Sequence, residues 1–272
     1  MISDITIGQY FPGNSLLYKM DARMKIVLTM LLLVSIFICK NFFSLGAVVL
    51  LTVIIVAISK VPVKTVLKSI KPLAVIIIFT SVLNLFYGEG EALLQLGRLK
   101  ITYSGIETAI FMAVRIIALV VLSSILTYTT SPTELTDALE RLLKPLKVLK
   151  IDVHAISMTM TIALRFIPTL IEEIQKITAA QKSRGAQMDS GNIISRVKAL
   201  IPVIIPLFVS SFRRAGELAY AMECRCYRGG QGRTKMKTVK METRDYIAFV
   251  IVILFIVSLV LMNHFFNDIR II

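Results

Sequence analysis

Between Gly105 and Leu126 the chain carries a long, mostly apolar block, and within it the unbroken run Ile116-Ile117-Ala118-Leu119-Val120-Val121-Leu122. Blocks of this kind cross a hydrocarbon core, which takes about 20 residues of helix. Four more follow the same rule: Lys25–Cys39, Phe42–Ser59, Pro72–Tyr87 and Tyr246–Met262. No water reaches the bilayer core, so a spanning backbone must pair its polar groups internally, as helices or as a closed barrel. Barrel strands alternate apolar and polar residues over about ten positions. Solid runs do not alternate, so the expectation is an all-α polytopic membrane protein. It has about five transmembrane helices plus amphipathic helices on the cytoplasmic side.

Composition agrees. Of 272 residues 56% are hydrophobic, and the mean hydropathy is +0.78. Lys and Arg number 31 against 17 Asp and Glu, a net charge of +14. In a chain of apolar spans this excess reads as the bias of cytoplasmic loops toward Lys and Arg, not as a nucleic-acid surface. Cys39, Cys224 and Cys226 are too few, and odd in number, for a disulfide framework. His154 and His264 lie far apart, so no His-rich metal site is expected. The first twenty residues are mixed, without the apolar core and small-residue site of a cleaved leader.

The loops set the orientation. Lys60, Lys64, Lys68 and Lys71 fall in a segment without an acid, a cytoplasmic loop or a short helix lying at the interface. Gly88–Ser104 carries Glu89, Glu91, Arg98 and Lys100, sums to zero and reads as external. The N-terminus is therefore expected in the cytoplasm, Thr130 back inside and the C-terminus outside, in a multi-pass protein of the cell membrane. Three regions follow: spans over 1–129, a cytoplasmic-side region over 130–240, and a last span and tail over 241–272.

Residues 130–240 mix apolar and charged positions throughout. Ser131-Pro132-Thr133-Glu134 has the residues of a helix start: an N-cap hydroxyl, proline at the first helical position and an acid at the third. That helix is expected to end near Lys144-Pro145. Pro168 then interrupts an apolar run, and Leu170, Ile171, Ile174 and Ile177 share a face beyond it. Glu172 and Glu173 are expected on the solvated remainder. The helix closes on Ser183-Arg184-Gly185, with glycine suited to a left-handed cap. The pattern repeats. Pro202 and Pro206 interrupt a second run, Phe208, Phe212, Ala215, Ala219 and Met222 share a face, and the helix closes on Cys224-Arg225-Cys226-Tyr227-Arg228-Gly229. From each proline break the arms would reach roughly 24–29 Å at ~1.5 Å per residue.

Arginine offsets the negative end of a helix. Two matched helices that both end in arginine suggest more, because a planar guanidinium suits an acidic socket. Enzyme chemistry finds little support. Gly229-Gly230-Gln231-Gly232-Arg233-Thr234-Lys235 lacks the Gly-Lys-Ser/Thr core of a phosphate loop and reads as a linker. Cys224 and Cys226 have no further Cys or His nearby in sequence to complete a metal site. Arg115, inside a span, either packs against carbonyls or snorkels, or else meets a substrate.

Taken together, these segments resemble the transmembrane T component of energy-coupling-factor transporters, a branch of ABC uptake systems. The resemblance rests on Asp21-Ala22-Arg23-Met24-Lys25, Ser131-Pro132-Thr133-Glu134-Leu135, Leu142-Leu143-Lys144-Pro145-Leu146, Arg165-Phe166-Ile167-Pro168, Ala180-Gln181-Lys182-Ser183-Arg184-Gly185 and Ala221-Met222-Glu223-Cys224-Arg225-Cys226-Tyr227-Arg228-Gly229-Gly230. It implies amphipathic coupling helices whose Arg184–Gly185 and Arg225 ends dock on two cytoplasmic ABC ATPase subunits. Arg228, followed by glycine, competes with Arg225 for the second place. It implies a platform for a membrane-embedded substrate-binding S component, to which Met158, Met160, Ala163, Ile174, Phe212, Ala219 and Met222 are assigned. It implies that the chain itself is no enzyme and binds no cofactor, ATP being used by its partners. The capture subunit would carry a vitamin or similar micronutrient. The alternative is a stand-alone secondary transporter.

Overall fold

The computed structural model describes residues 10–86, 92–96, 99–150, 152–186, 192–229 and 241–265. Two compact units emerge, one over Leu139–Met236 and one over Gly8–Ala138 with Lys237–Ile272. Parts of the expected external loop, 87–91 and 97–98, and most of the glycine-rich and basic stretch, 230–240, lie outside the described residues.

The second unit is a bundle of the apolar blocks. A short turn α1 (Leu16–Lys19) precedes α2 (Ala22–Ile38) and α3 (Phe42–Ser59), joined by the three residues Cys39–Asn41 as a hairpin. Next come α4 (Val63–Ile70), a 3₁₀ turn at Lys71–Leu73 and α5 (Ala74–Phe86). The central helix α6 (Tyr103–Thr129) has 27 residues, about 40 Å of rise. The α7 helix (Pro132–Leu142) follows, and α10 (Thr243–Phe265) returns to the bundle. Leu28, Leu32 and Ile36 of α2, Leu45 and Val48 of α3, Phe111, Ala118 and Leu122 of α6, and Val252 and Leu259 of α10 form one buried cluster. Large apolar side chains elsewhere on α3, α5 and α10 are exposed, among them Leu50, Val53, Val75, Ile78, Phe79 and Leu254. Water would not tolerate so broad an apolar surface, whereas lipid tails do.

The loop between α5 and α6 holds a feature that the sequence reading did not anticipate. Strand β1 (Ala92–Leu96) pairs antiparallel with β2 (Leu99–Thr102), with Leu96 opposite Leu99 and an irregularity between Ala92 and Leu94. Ladders this short carry too little periodicity to separate from a polar loop. At the entry to α6, a Cβ on Gly105 would stand 2.7 Å from the Leu85 carbonyl oxygen, so glycine permits the close approach of α5.

The lysine-rich segment forms the short helix α4. Val66 is buried with Val61 against Val121, Ile125 and Tyr128, while Lys64 and Lys68 are exposed. Ser131 and Glu134 cap α7 reciprocally: Glu134 N–H donates to Ser131 Oγ at 3.2 Å and Ser131 N–H to Glu134 Oε2 at 3.4 Å.

Polar groups inside this bundle hold helix ends. At one end, Asp21 caps α2 by accepting from the Arg23 N–H at 2.9 Å, and Arg23 folds back onto the same carboxylate at 2.5 Å. Buried Lys25 donates to the Thr129 carbonyl at 3.0 Å and Phe11 N–H to the Tyr128 carbonyl at 3.0 Å, so two orphan acceptors of α6 are filled. Buried Asp245 accepts from Asp21 N–H at 3.3 Å and from Glu242 N–H at 3.0 Å, joining α10 to α2. At the other end, Asn263 donates to the Ile38 carbonyl at 2.8 Å and Arg115 to the Cys39 carbonyl at 2.6 Å. The Arg115 guanidinium also lies 4.7 Å from the Phe111 ring centre. Arg115 thus packs against a carbonyl, the plainer of the two sequence expectations. Arg115→Met is expected to lower stability by about 1–3 kcal/mol, because the C-terminal acceptor of α2 loses its donor. Thermal melting of the detergent-solubilised protein measures this, and an unchanged melting temperature would remove the capping role.

The other unit is built on two long helices, α8 (Val153–Ser183, 31 residues) and α9 (Ile193–Cys224, 32 residues). The expected proline breaks are absent. Pro168 lies inside α8, and Pro202 and Pro206 lie inside α9. One reason is specific. Pro206 has no N–H for the carbonyl four residues back, and the Gln181 side chain donates to that Pro202 carbonyl at 3.4 Å. Among the described residues six helices are long and apolar enough to cross a membrane, and they include Val153–Ser183 and Val197–Cys224. The first apolar block, as α2, has 17 residues, near the lower limit of a span.

Candidate functional site

The ends of α8 and α9 share one backbone geometry. At α8, Gly185 N–H donates to the Lys182 carbonyl at 3.0 Å and Ala186 N–H to the Gln181 carbonyl at 3.1 Å. At α9, Cys226 N–H donates to the Glu223 carbonyl at 2.8 Å and Tyr227 N–H to the Met222 carbonyl at 3.0 Å. Both patterns are Schellman caps, with Arg184 and Arg225 at the cap position and a left-handed residue after each. The left-handed residues are Gly185, with φ +87°, and Cys226, with φ +54°. Arg225 is therefore the geometric counterpart of Arg184. Arg228 lies beyond the cap, next to a second left-handed glycine, Gly229 at φ +81°. All three arginines are exposed.

Cys226 occupies a conformation that glycine adopts without a Cβ penalty. Cys226→Gly is expected to stabilise the α9 end by up to about 1–2 kcal/mol, the left-handed penalty of a side chain, read as a small rise in melting temperature. A fall would mean that the thiol makes a contact that outweighs the strain. Cys224 and Cys226 are both exposed free thiols, and among the described residues no group of three metal-binding side chains forms.

Behind the tips, α8 and α9 run antiparallel. Glu173 of α8 accepts from Ser210 Oγ and pairs with Arg214 at 2.5 Å, both on α9. Glu173 is thus drawn into the helix seam, which corrects the expectation of a solvated face; Glu172 does stay exposed. The reason is tertiary: only the approach of α9 supplies a cation and a hydroxyl at that height. Alongside lies an open apolar groove of about 290 Å³, lined by Ile162, Phe166 and Leu170 of α8 and by Ala215, Leu218, Ala219 and Met222 of α9, with Ser211 and Arg214 at its side. Of the platform candidates, the groove brings together Ala219 and Met222. Met160, Ala163 and Phe212 stand exposed on the helices, and Met158 and Ile174 are half-buried.

These helix ends, with the bundle, belong to a chain whose relatives are recognisable. A family model, CbiQ, described as cobalt transport protein, matches residues 13–236. The energy-coupling factor transporter transmembrane protein EcfT of Ruminiclostridium cellulolyticum is 52% identical over 266 residues, covering 98% of this chain and all of that protein. EcfT proteins of Clostridium kluyveri and Bacillus subtilis are 48% and 42% identical, over 91% and 90% of this chain and 93% of each of theirs. The chain belongs to the CbiQ family.

Within a CbiQ-family chain, sequence reasoning misplaced Glu173 and gave no role to Ser210, Arg214 or the Gln181 side chain. Their positions at helical spacing along one face of each helix were legible, but not their pairing. Near the start of the same unit, His154 Nδ1 lies 3.2 Å from Glu140 Oε1 and Ser157 Oγ donates to Glu140 Oε2 at 3.0 Å. The serine addresses the carboxylate and not the imidazole, so these three residues of the Leu139–Met236 unit bond to one another without the nucleophile–base contact of a hydrolase.

Proposed function

We propose that this chain is the membrane scaffold of an energy-coupling factor transporter, passing the work of ATP hydrolysis to a membrane subunit that captures substrate. The observation that carries the reading is the pair of equivalent arginine caps, each an exposed guanidinium at the end of a long helix. Each tip enters a socket on one of two cytoplasmic ABC ATPase subunits, where acidic groups bind it bidentately. The names of the relatives, energy-coupling factor transporter transmembrane proteins, support the same assignment. The apolar faces of α8 and α9, with Met160, Ala163, Phe212, Ala219 and Met222, cradle the S component, whose cargo is a vitamin or similar micronutrient. This chain neither hydrolyses ATP nor holds a cofactor. It sits in the cell membrane with its N-terminus in the cytoplasm and its C-terminus outside. A stand-alone transporter would need polar groups lining a pathway through its spans. The one span arginine weighed for such a role, Arg115, is occupied by the Cys39 carbonyl.

The test changes Arg184 and Arg225 to Glu, singly and together, and follows membrane insertion, co-purification of the ATPase subunits and uptake. Normal ATPase binding and uptake in the double variant would sink the proposal.

A further inference from the structure

The Glu173–Arg214 pair lies evenly between the two arginine tips. Arg184 stands eleven residues beyond Glu173, and Arg225 stands eleven residues beyond Arg214. At ~1.5 Å per residue each tip is about 16 Å from the pair along its own helix. Because the helices are antiparallel, the two arms leave the pair in opposite directions. Measured from the prolines the arms were unequal; measured from the ion pair they match.

The chemistry at the midpoint differs from its surroundings. On one side lies the apolar groove of Phe166, Leu170, Ala215 and Leu218, where contacts are non-directional and helices can slide. At the midpoint, one half-buried carboxylate is held by two groups of the opposite helix, the Ser210 hydroxyl and the Arg214 guanidinium. Ser210 is itself buried. The Ser210 hydrogen bond to the carboxylate is charge-assisted and directional, and the Arg214 ion pair is short, so a slide or rotation of one helix disrupts both. Toward the α8 tip the seam has a second polar tie, Gln181 to the Pro202 carbonyl.

We infer that Glu173, held by Arg214 and Ser210, is a positioning residue: the fulcrum that locks two equal arms into one lever, so that displacement at one arginine tip reaches the other. This rests on the proposed docking of the tips, and its test has one readout that does not. Spin labels at Cys224 and at Lys182→Cys, with Cys39 and Cys226 changed to Ser, report the distance between the arms in the solubilised chain alone. Glu173→Gln is expected to broaden that distance distribution at least twofold. Exchanging the charges, Glu173→Arg with Arg214→Glu, is expected to narrow it again. In proteoliposomes holding the full complex, Glu173→Gln is expected to keep ATP hydrolysis and lose at least fivefold of substrate uptake, with recovery in the exchanged pair. A distribution as narrow as wild type in Glu173→Gln, or an exchanged pair no better than the single variant, overturns the fulcrum. A failure confined to the liposomes, with the label distances behaving as expected, overturns the docking reading instead.

Discussion

Asp245→Ala is expected to destabilise the membrane bundle by about 3–5 kcal/mol, the range for breaking one side of a buried charged network. Asp245 is 2% exposed and Asp21 4%, and Lys25 beside them is 5% exposed. The Asp245 carboxylate is the third residue of α10 and accepts the Glu242 N–H, so it caps its own helix. Its other oxygen accepts the buried Asp21 N–H and thereby ties α10 to α2. Alanine leaves both donors without that acceptor and removes one of the anions near Lys25, whose ammonium stays fixed on the α6 carbonyl terminus. Asp245→Asn retains an acceptor oxygen and loses the charge, so an intermediate effect is expected. The readouts are the apparent melting temperature and the monodisperse yield in detergent. An alanine variant that melts with wild type would mean that the network is ornamental to stability.

The second large effect concerns the arginine tips. Reversing one charge in a desolvated socket costs about 2–5 kcal/mol, roughly thirty- to several-thousand-fold in affinity. Arg184→Glu and Arg225→Glu are each expected to reach that range in ATPase binding, and the double variant to abolish co-purification. Arg228→Glu is the informative control. Arg228 follows the Schellman cap and has no counterpart at the α8 end, so it contributes as a rim charge, worth about 1 kcal/mol or less. Its effect is expected to fade with added salt, since exposed charges are screened. Equal losses for Arg225→Glu and Arg228→Glu would refute the geometric matching of the two caps. The substitutions leave the bundle untouched and cost only the helix-end charge effect, about 0.3–1 kcal/mol at each exposed cap, so melting temperature should move little.

The two experiments separate roles that the basic character of the chain merges. Lys60, Lys64, Lys68 and Lys71 are exposed lysines along or beside α4. Lys25, Arg23 and Arg115 are internal ties to carbonyls and a carboxylate. Arg214 joins two helices. Among the described residues, Arg184 and Arg225 combine exposure with a matched cap.

Much of this was legible in one dimension. Apolar block length fixes the need for helices, because unpaired backbone cannot enter lipid. The α7 start, the Gly185 cap and the arginine ends follow from local chemistry that acts within a few residues. The prolines misled for the complementary reason. A proline removes a local hydrogen bond, but whether the helix breaks depends on what else fills the carbonyl, and Gln181 comes from another helix. Glu173 looked solvated for the same reason, since its partners are 37 and 41 positions away. The choice between Arg225 and Arg228 also required three dimensions, because Cys226 takes a left-handed conformation that its side chain does not advertise. Sequence alone determined the apolar blocks of the bundle, the charge bias and the family; the backbone conformation at Cys226 decided which arginine matches which, and packing of α8 on α9 decided where the two arms are joined, since those bonds cross between segments that no local rule connects.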